Sequence, residues 1–315
     1  MGFFASLINS MPSAVAQGLI WGIMAIGVYL TYRILDVADL TVDGSLGTGG
    51  AVCVVMVLNG APVGLALLAA TAAGMLAGLV TGLFHTACGI PAILAGILTQ
   101  LALYSVNLRI MGFGTGGGKA NLPISVDKYG LLVSARYVRN VALNNPILIL
   151  TIFCAVLIAV LYWFFGTELG CSLRATGANQ NMARAQGINT NVTKVQGLMI
   201  SNGLVALAGG LLAQYQGFSD INMGRGAIVI GLAAVIIGEV IFSRIFRNFA
   251  LKLLSAVIGA IIYYIVMVFV LRLGLSTDDL KLLTALVVAL FLTIPYWKGK
   301  YFTKTSVKKG EKNHA

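Results

Sequence analysis

The residues able to do chemistry in this chain are few, and they gather where long apolar runs break. Asp36, Asp39 and Asp43 cluster at one break, just before Gly44, and Asp220 opens another, in Asp220-Ile221-Asn222-Met223-Gly224-Arg225-Gly226. Glu239 lies inside an apolar run, with Arg244 and Arg247 one to two helical turns further on. Ionisable groups in such places are costly in hydrocarbon and often functional. Two chemistries suit them. Asp39, Thr41, Asp43, Gln100, Asp220 and Asn222 could line a polar translocation path, or the carboxylates could accept backbone N–H groups at helix ends. Capping is the expectation for Asp36 and Asp43, and an interfacial ion pair with Arg244 or Arg247 is the expectation for Glu239. Asp39 and Asp220 stay open between the two readings. Asn107, Asn202 and Gln214 dot other spans with Gln100, and for each of these four, interhelical hydrogen bonding is the stronger reading.

No catalytic constellation accompanies these residues. The stretch "GFGTGGGKAN" (112–121) has the look of a phosphate loop, but Phe113 stands where the leading glycine belongs and Ala120 follows Lys119. A phosphate loop needs that glycine, a Ser or Thr after the lysine, and a strand before it. The sequence is therefore read as non-enzymatic, with no nucleotide or metal site of its own. Cys53, Cys88, Cys154 and Cys171 are scattered without C-x-x-C pairing, and core packing is their expected role.

The elements that must position these residues are set by composition. The chain has 315 residues, 58% hydrophobic and 10% charged, with a mean hydropathy of +0.93. A soluble domain carries roughly 25% charged residues, so lipid must be the solvent for most of this surface. Apolar windows predict about nine crossings, at 12–32, 44–59, 62–85, 90–108, 145–166, 197–216, 226–242, 252–271 and 282–297. Helix is required, because lipid offers backbone groups no hydrogen-bond partners, and no period-two alternation suggests a barrel. The fold class is an all-α polytopic membrane protein. No Lys or Arg precedes the first span, as it would in a cleaved signal peptide, so that span is expected to stay. The net charge of +11 is dispersed among loops, with six lysines after the last span (Lys298, Lys300, Lys304, Lys308, Lys309, Lys312). That placement suits an anionic inner leaflet rather than nucleic acid. It puts the C-terminus inside, the N-terminus outside, and the basic loop 109–144 outside.

The two halves share a rhythm. In each, a span of about twenty residues ends near an aspartate (Asp39, Asp220), a small polar cluster follows, and a short Gly-led apolar segment comes next (44–59, 226–242). The first unit starts outside and the second inside, so the repeat is inverted, a pointer to a transport path. The chain then divides as one permease domain, 1–315. Repeat one is about 12–108, the external loop 109–144, a coupling segment 167–196, repeat two about 197–297, and a basic tail 298–315.

Between the halves stands a polar stretch, "CSLRATGANQNMARAQGINT" (171–190). Asn179 suits an N-cap, 180–186 allow about two helical turns, and Gly187 suits the C′ stop. Two turns are unstable alone in water, so the helix should be held by something it docks against. This stretch carries a resemblance. "ATGANQNMARAQGIN" (175–189) resembles the cytosolic coupling motif of ATP-binding-cassette (ABC) importer permeases of the branched-chain amino acid, ribose and nucleoside class, near A-T-G-x-N-x-x-A-A-R-x-x-G-I-N. Ala175, Thr176, Gly177, Asn179, Ala183, Arg184, Gly187, Ile188 and Asn189 match, and Met182 departs from it. "AIG" (25–27) followed by "DLTVDGS" (39–45) is similar to the family's first-half signature. Asp43 is an extra residue relative to the sugar members, and the spacing from Gly27 to Asp39 suits the amino acid members better. The look is nearest to the subfamily paired with tryptophan/tyrosine-type binding proteins.

The resemblance implies a multi-pass permease in a bacterial plasma membrane, its partners being set by the family rather than by spacing. It implies two permease copies, a homodimer, with a separate ATPase holding ATP and Mg²⁺. Coupling would run through Gly177, Asn179, Asn181, Met182, Ala183, Arg184, Gly187 and Ile188. An extracytoplasmic solute-binding protein would dock outside, with Arg136 and Arg139 as its candidate contacts. The implied cargo is a small polar solute, an aromatic amino acid first, with branched-chain amino acids, nucleosides and sugars behind it. An ion-coupled secondary transporter is the rival from another class.

Overall fold

Apolar runs of this length bury their polar backbone by becoming helices, and most of the chain does so. The computed structural model describes residues 3–114, 117–126, 128–138, 145–242, 245–246, 248–272 and part of 282–293. Its helices are α1 (Phe3–Tyr29), α2 (Val42–Leu58), α3 (Val63–Thr86), α4 (Ala92–Met111), α5 (Pro146–Phe164), α6 (Glu168–Ala178), α7 (Gln180–Ala185), α8 (Thr190–Gln216), α9 (Ala227–Phe242) and α10 (Phe249–Arg272). Among the described residues, six helices are long and apolar enough to cross a membrane, and α2 and α9 are shorter apolar helices. These two are the Gly-led segments at the sequence breaks. The expected ninth span, 282–297, lies partly outside the described residues, although Val288 packs with Ile237, Tyr263 and Met267.

α8 is the organising element. Ser201 Oγ donates to the Gly27 carbonyl (2.7 Å) and Ser13 Oγ meets Tyr215 Oη (3.0 Å), so α1 runs antiparallel to α8. Ser45 Oγ donates to Asn202 Oδ1 (2.6 Å) and Gln214 Nε2 reaches Cys53 Sγ (3.3 Å), so α2 runs parallel to α8. α3 crosses α8 where Gly74 and Gly78 face the Asn202 and Leu198 carbonyls, so close that a methyl on either would overlap backbone. Small residues let helices approach this way without a hydrophobic drive. Asn202 and Gln214 thus make the interhelical bonds expected of them.

The two short helices start in the interior and leave in opposite directions. α2 ends near Tyr129, whose hydroxyl donates to the Leu58 carbonyl (3.5 Å). α9 runs beside α1 and ends where Glu239 pairs with Arg33 at 3.0 Å. Each short helix therefore lies along the long helix of the other half, with their N-termini together. The ion pair expected of Glu239 is present with a different partner; Arg244 and Arg247 lie outside the described residues.

Three local expectations change. Asp36 is exposed and sits at φ 54, turning the chain after the π-helical Leu30–Ile34; short polar side chains tolerate that left-handed region. It serves the reversal rather than a cap. The described structure is not wholly helical: β1 (Asn121–Pro123) pairs antiparallel with β2 (Phe218–Asp220), Asn121 opposite Asp220. Cys53 and Cys154 are buried, but Cys88 and Cys171 are exposed, so core packing accounts for only two of the four cysteines.

Candidate functional site

Two features have the geometry of sites: an exposed helix at one end of the bundle and a polar cavity within it. The helix is α7. Asn179 is extended (φ −160) and its side chain accepts from the Asn181 and Met182 N–H groups at 3.0 and 3.1 Å. At the far end the Ile188 N–H returns to the Ala183 carbonyl and the Gly187 N–H to Arg184, both at 3.0 Å. This is a Schellman stop, and Gly187 supplies the φ of 82 that it requires.

A helix this short holds its shape because it is anchored. Ala183 is fully buried beneath it. Arg184 Nε donates to Thr190 Oγ1 (2.8 Å), and Thr176 and Thr193 share a hydroxyl hydrogen bond (3.0 Å). Gly177 lies against the Ile34 carbonyl, where a methyl group could not fit. The outward residues Asn181, Met182 and Arg184 are exposed, Met182 by 51% despite its apolar side chain. Ala183, Gly177 and half-buried Ile188 thus face the bundle, Asn181 and Met182 face away, and exposed Arg184 turns its Nε back to Thr190.

The cavity, of about 270 Å³, opens between α2, α4 and the segment leading into α9. Asp43, Gln100, Tyr104, Asn107 and Arg225 supply its polar lining. Asp43 sits in the first turn of α2, yet Oδ2 accepts the Gly226 N–H and Oδ1 the Ile228 N–H, both at 2.9 Å. It caps the start of α9, in the other half of the chain. Capping was the expectation for Asp43, without a helix being singled out. Asn107 is 2% exposed; its Nδ2 reaches the Gly44 carbonyl at 3.5 Å, and its Oδ1 has no partner among the described residues.

The six path candidates separate. Asp43 and Gln100 share the cavity. Asp39 and Thr41 lie in a buried network beside it: Asp39 accepts from the Thr41 N–H (2.9 Å) and Asn202 Nδ2 (2.6 Å). Thr41 Oγ1 meets Thr81 Oγ1 (2.7 Å), which donates to Thr99 (2.9 Å). Asp220 and Asn222 form a turn at the β-ribbon, where the Asn222 N–H donates to Asp220 Oδ1 (2.7 Å) and Asn121 Nδ2 to Oδ2 (3.4 Å). Arg136 is exposed beyond that ribbon, and Arg139 lies outside the described residues. Sequence reasoning gave no cavity role to Tyr104 or Arg225, and for Asn107 it ranked solute contact behind interhelical hydrogen bonding. The one available signal was the polar dotting of α4 at 100, 104 and 107, which is one helical face.

The helical bundle, with six helices long and apolar enough to cross a membrane among the described residues, is that of a multi-pass membrane protein. Residues 10–294 match the model of the branched-chain amino acid transport system permease component, and the chain belongs to that family. It is 41% identical over 284 residues, 90% of each chain, to a protein named tyrosine transport system permease protein in Clostridioides difficile (strain R20291). It is 36% identical over 289 residues, 90% of this chain and 97% of the relative, to an uncharacterized protein of Rickettsia prowazekii (strain Madrid E). A solved structure, PsaBC from Streptococcus pneumoniae in complex with Fab, aligns over 88% of this chain and 97% of that one, with a TM-score of 0.39 and 16% identity.

Proposed function

We propose that this chain is the membrane subunit of an ABC importer that moves an amino acid, aromatic in the first instance, into a bacterial cell. The observation that carries the reading is α7: a capped, two-ended helix, pinned by Ala183 and presenting Met182, Asn181 and Arg184. Such a peg serves a partner, and a cytosolic ATPase that holds ATP and Mg²⁺ gives it one. The chain itself then does no catalysis. Two copies would form the pathway, N-terminus outside and C-terminus inside, and an external binding protein would deliver the solute. The relative named for tyrosine transport supports the aromatic choice over a branched-chain amino acid, a nucleoside or a sugar. An ion-coupled carrier would have no use for the peg.

The test is ATP-driven uptake of L-tyrosine in proteoliposomes carrying the permease, its ATPase and its binding protein. Gly187→Val is expected to insert normally and lose uptake; normal uptake in that variant would overturn the coupling assignment. For the outer face, Arg136→Glu with Arg139→Glu should weaken binding-protein docking at low ionic strength, where exposed charge acts at longest range. Unchanged docking affinity would remove those two residues from the interface.

A further inference from the structure

The end of the bundle that carries α7 holds a second cavity, of about 340 Å³, walled by the end of α1 and its π-helical turn, by α6 and by the start of α10. Three cations converge on it from these three elements: Arg33, Arg174 and Lys252. Two of them are held in place by the protein. Arg33 Nε meets Glu239 Oε1 at 3.0 Å. The Arg174 guanidinium lies over the Phe249 ring, 5.7 Å from its centre, and Nη1 donates to the Phe165 carbonyl at 3.5 Å. Neither contact exhausts a guanidinium, which has five N–H donors. With Arg33 offset by Glu239, Arg174 and Lys252 leave the wall positive.

Tyr29 points to an occupant. It is 4% exposed and lines the same cavity, with its phenol close enough to Arg33 and Glu239 to feel both charges. Its hydroxyl has no hydrogen-bond partner among the described residues and, unlike Asn107 Oδ1, is not sealed off from its surroundings. A hydroxyl on so buried a side chain seldom goes without a partner. An O–H donor set among three cations suits an anion with several acceptor oxygens, as a phosphate is.

Depth chooses the kind of phosphate. α5 presents an exposed apolar face through Ile152, Val156 and Val160, and ends it with exposed Tyr162 and Trp163. Such aromatic residues mark a membrane–water boundary. Phe165, two residues on, packs against Phe249 (4.9 Å between ring centres) and gives its carbonyl to Arg174. The cavity therefore sits at headgroup depth, where basic pockets between helices bind lipid phosphates.

We infer that this cavity is a binding site for the headgroup of an anionic phospholipid: Arg174 and Lys252 bind the phosphate oxygens, Tyr29 donates its hydroxyl to one of them, and Arg33 lends positive potential. Assigning the lipid to the inner leaflet rests on the import reading, which puts α7 in the cytosol; the chemistry of the pocket does not. Gly177 stands in the same wall, two residues before the Asn179 cap of α7. A bound headgroup thus ties α1, α6 and α10 together at the root of that helix.

The experiment uses the full chain in mild detergent, titrated with dioleoyl-phosphatidylglycerol or dioleoyl-phosphatidylcholine. Native mass spectrometry reads the affinity of the first bound lipid. Phosphatidylglycerol is expected to bind about tenfold more tightly, because the choline cation faces a positive wall. Arg174→Gln with Lys252→Gln should cost that affinity about tenfold or more, as expected for lost charge-assisted hydrogen bonds. Tyr29→Phe should cost it about tenfold with no change in net charge, an effect that a diffuse basic surface would not show. Arg184→Gln, at the same end but outside the cavity, should leave it unchanged. A lipid-free midpoint of thermal unfolding equal to that of the parent shows that a variant has kept its fold.

Equal affinity for the two lipids, or phosphatidylglycerol affinity unchanged in both pocket variants, overturns the site. Inorganic phosphate that displaces the lipid with an affinity matching the lipid's own would make the occupant a soluble anion and overturn the lipid assignment. Loss of the lipid on adding the ATPase would do the same, with a protein surface as the occupant. The two readings fail separately. Loss of lipid selectivity with Gly187-dependent uptake intact leaves the import reading standing. Selective lipid binding with no ATP-driven uptake leaves the site standing and removes the importer.

Discussion

At the residue scale, the most consequential side chain is Asp43, because one carboxylate serves two halves of the molecule. It lies in the first turn of α2 and accepts the half-buried N–H groups at the start of α9, 183 positions away in the case of Gly226. Asp43→Ala would leave the Gly226 and Ile228 N–H groups without acceptors, at a cost of about 1–3 kcal/mol for each buried group left unpaired. We expect a lower midpoint of thermal unfolding in detergent, with Asp43→Asn, which keeps one acceptor oxygen, between the two. An unchanged midpoint for Asp43→Ala would show that the bond contributes nothing. That Asp43 caps a helix was legible from its type and its place at a break. Which helix it caps was not, since the partner is brought to it only by folding. The same holds for Glu239, whose ion pair with Arg33, more than two hundred positions away in the chain, is brought about only by folding.

At the element scale, the limits of α7 were legible because the caps that set them are local. Asn179, Ala183, Arg184, Gly187 and Ile188 lie within one stretch of ten residues, and caps work over three to five positions. This locality is also why Gly187→Val should act through the helix end: a β-branched residue at φ 82 costs about 1 kcal/mol or more, in a helix with only six residues to resist it. α2 and α9 were also visible as short Gly-led segments, expected as broken or short helices of two inverted repeats; that each begins inside the bundle came from the fold. The β-ribbon was invisible, because three-residue strands carry no periodicity. Asn121–Pro123 becomes a strand only by meeting Phe218–Asp220.

At the scale of the whole molecule, the packing fixes which loops share a face. The turn between α3 and α4 lies with the α7 end, because Gly82 packs on Val195 at the start of α8. The β-ribbon places the 121–138 loop with the far end of α8. In sealed vesicles, a membrane-impermeant maleimide should therefore label Cys88 and Cys171 from one side, and a reporter at Leu132→Cys in a background lacking those two from the other. Labelling of all three from one side would overturn this arrangement. The sequence by itself determined that the chain lives in lipid, that its backbone is helical there, and where the short polar helix α7 begins and ends. Those follow from composition and from contacts a few residues apart. Only the tertiary structure decided that Asp43, Gln100, Asn107 and Arg225 share one cavity while Asp39 and Asp220 do not. Those residues come from α2, α4 and the approach to α9, and no short-range rule joins positions so far apart along the chain.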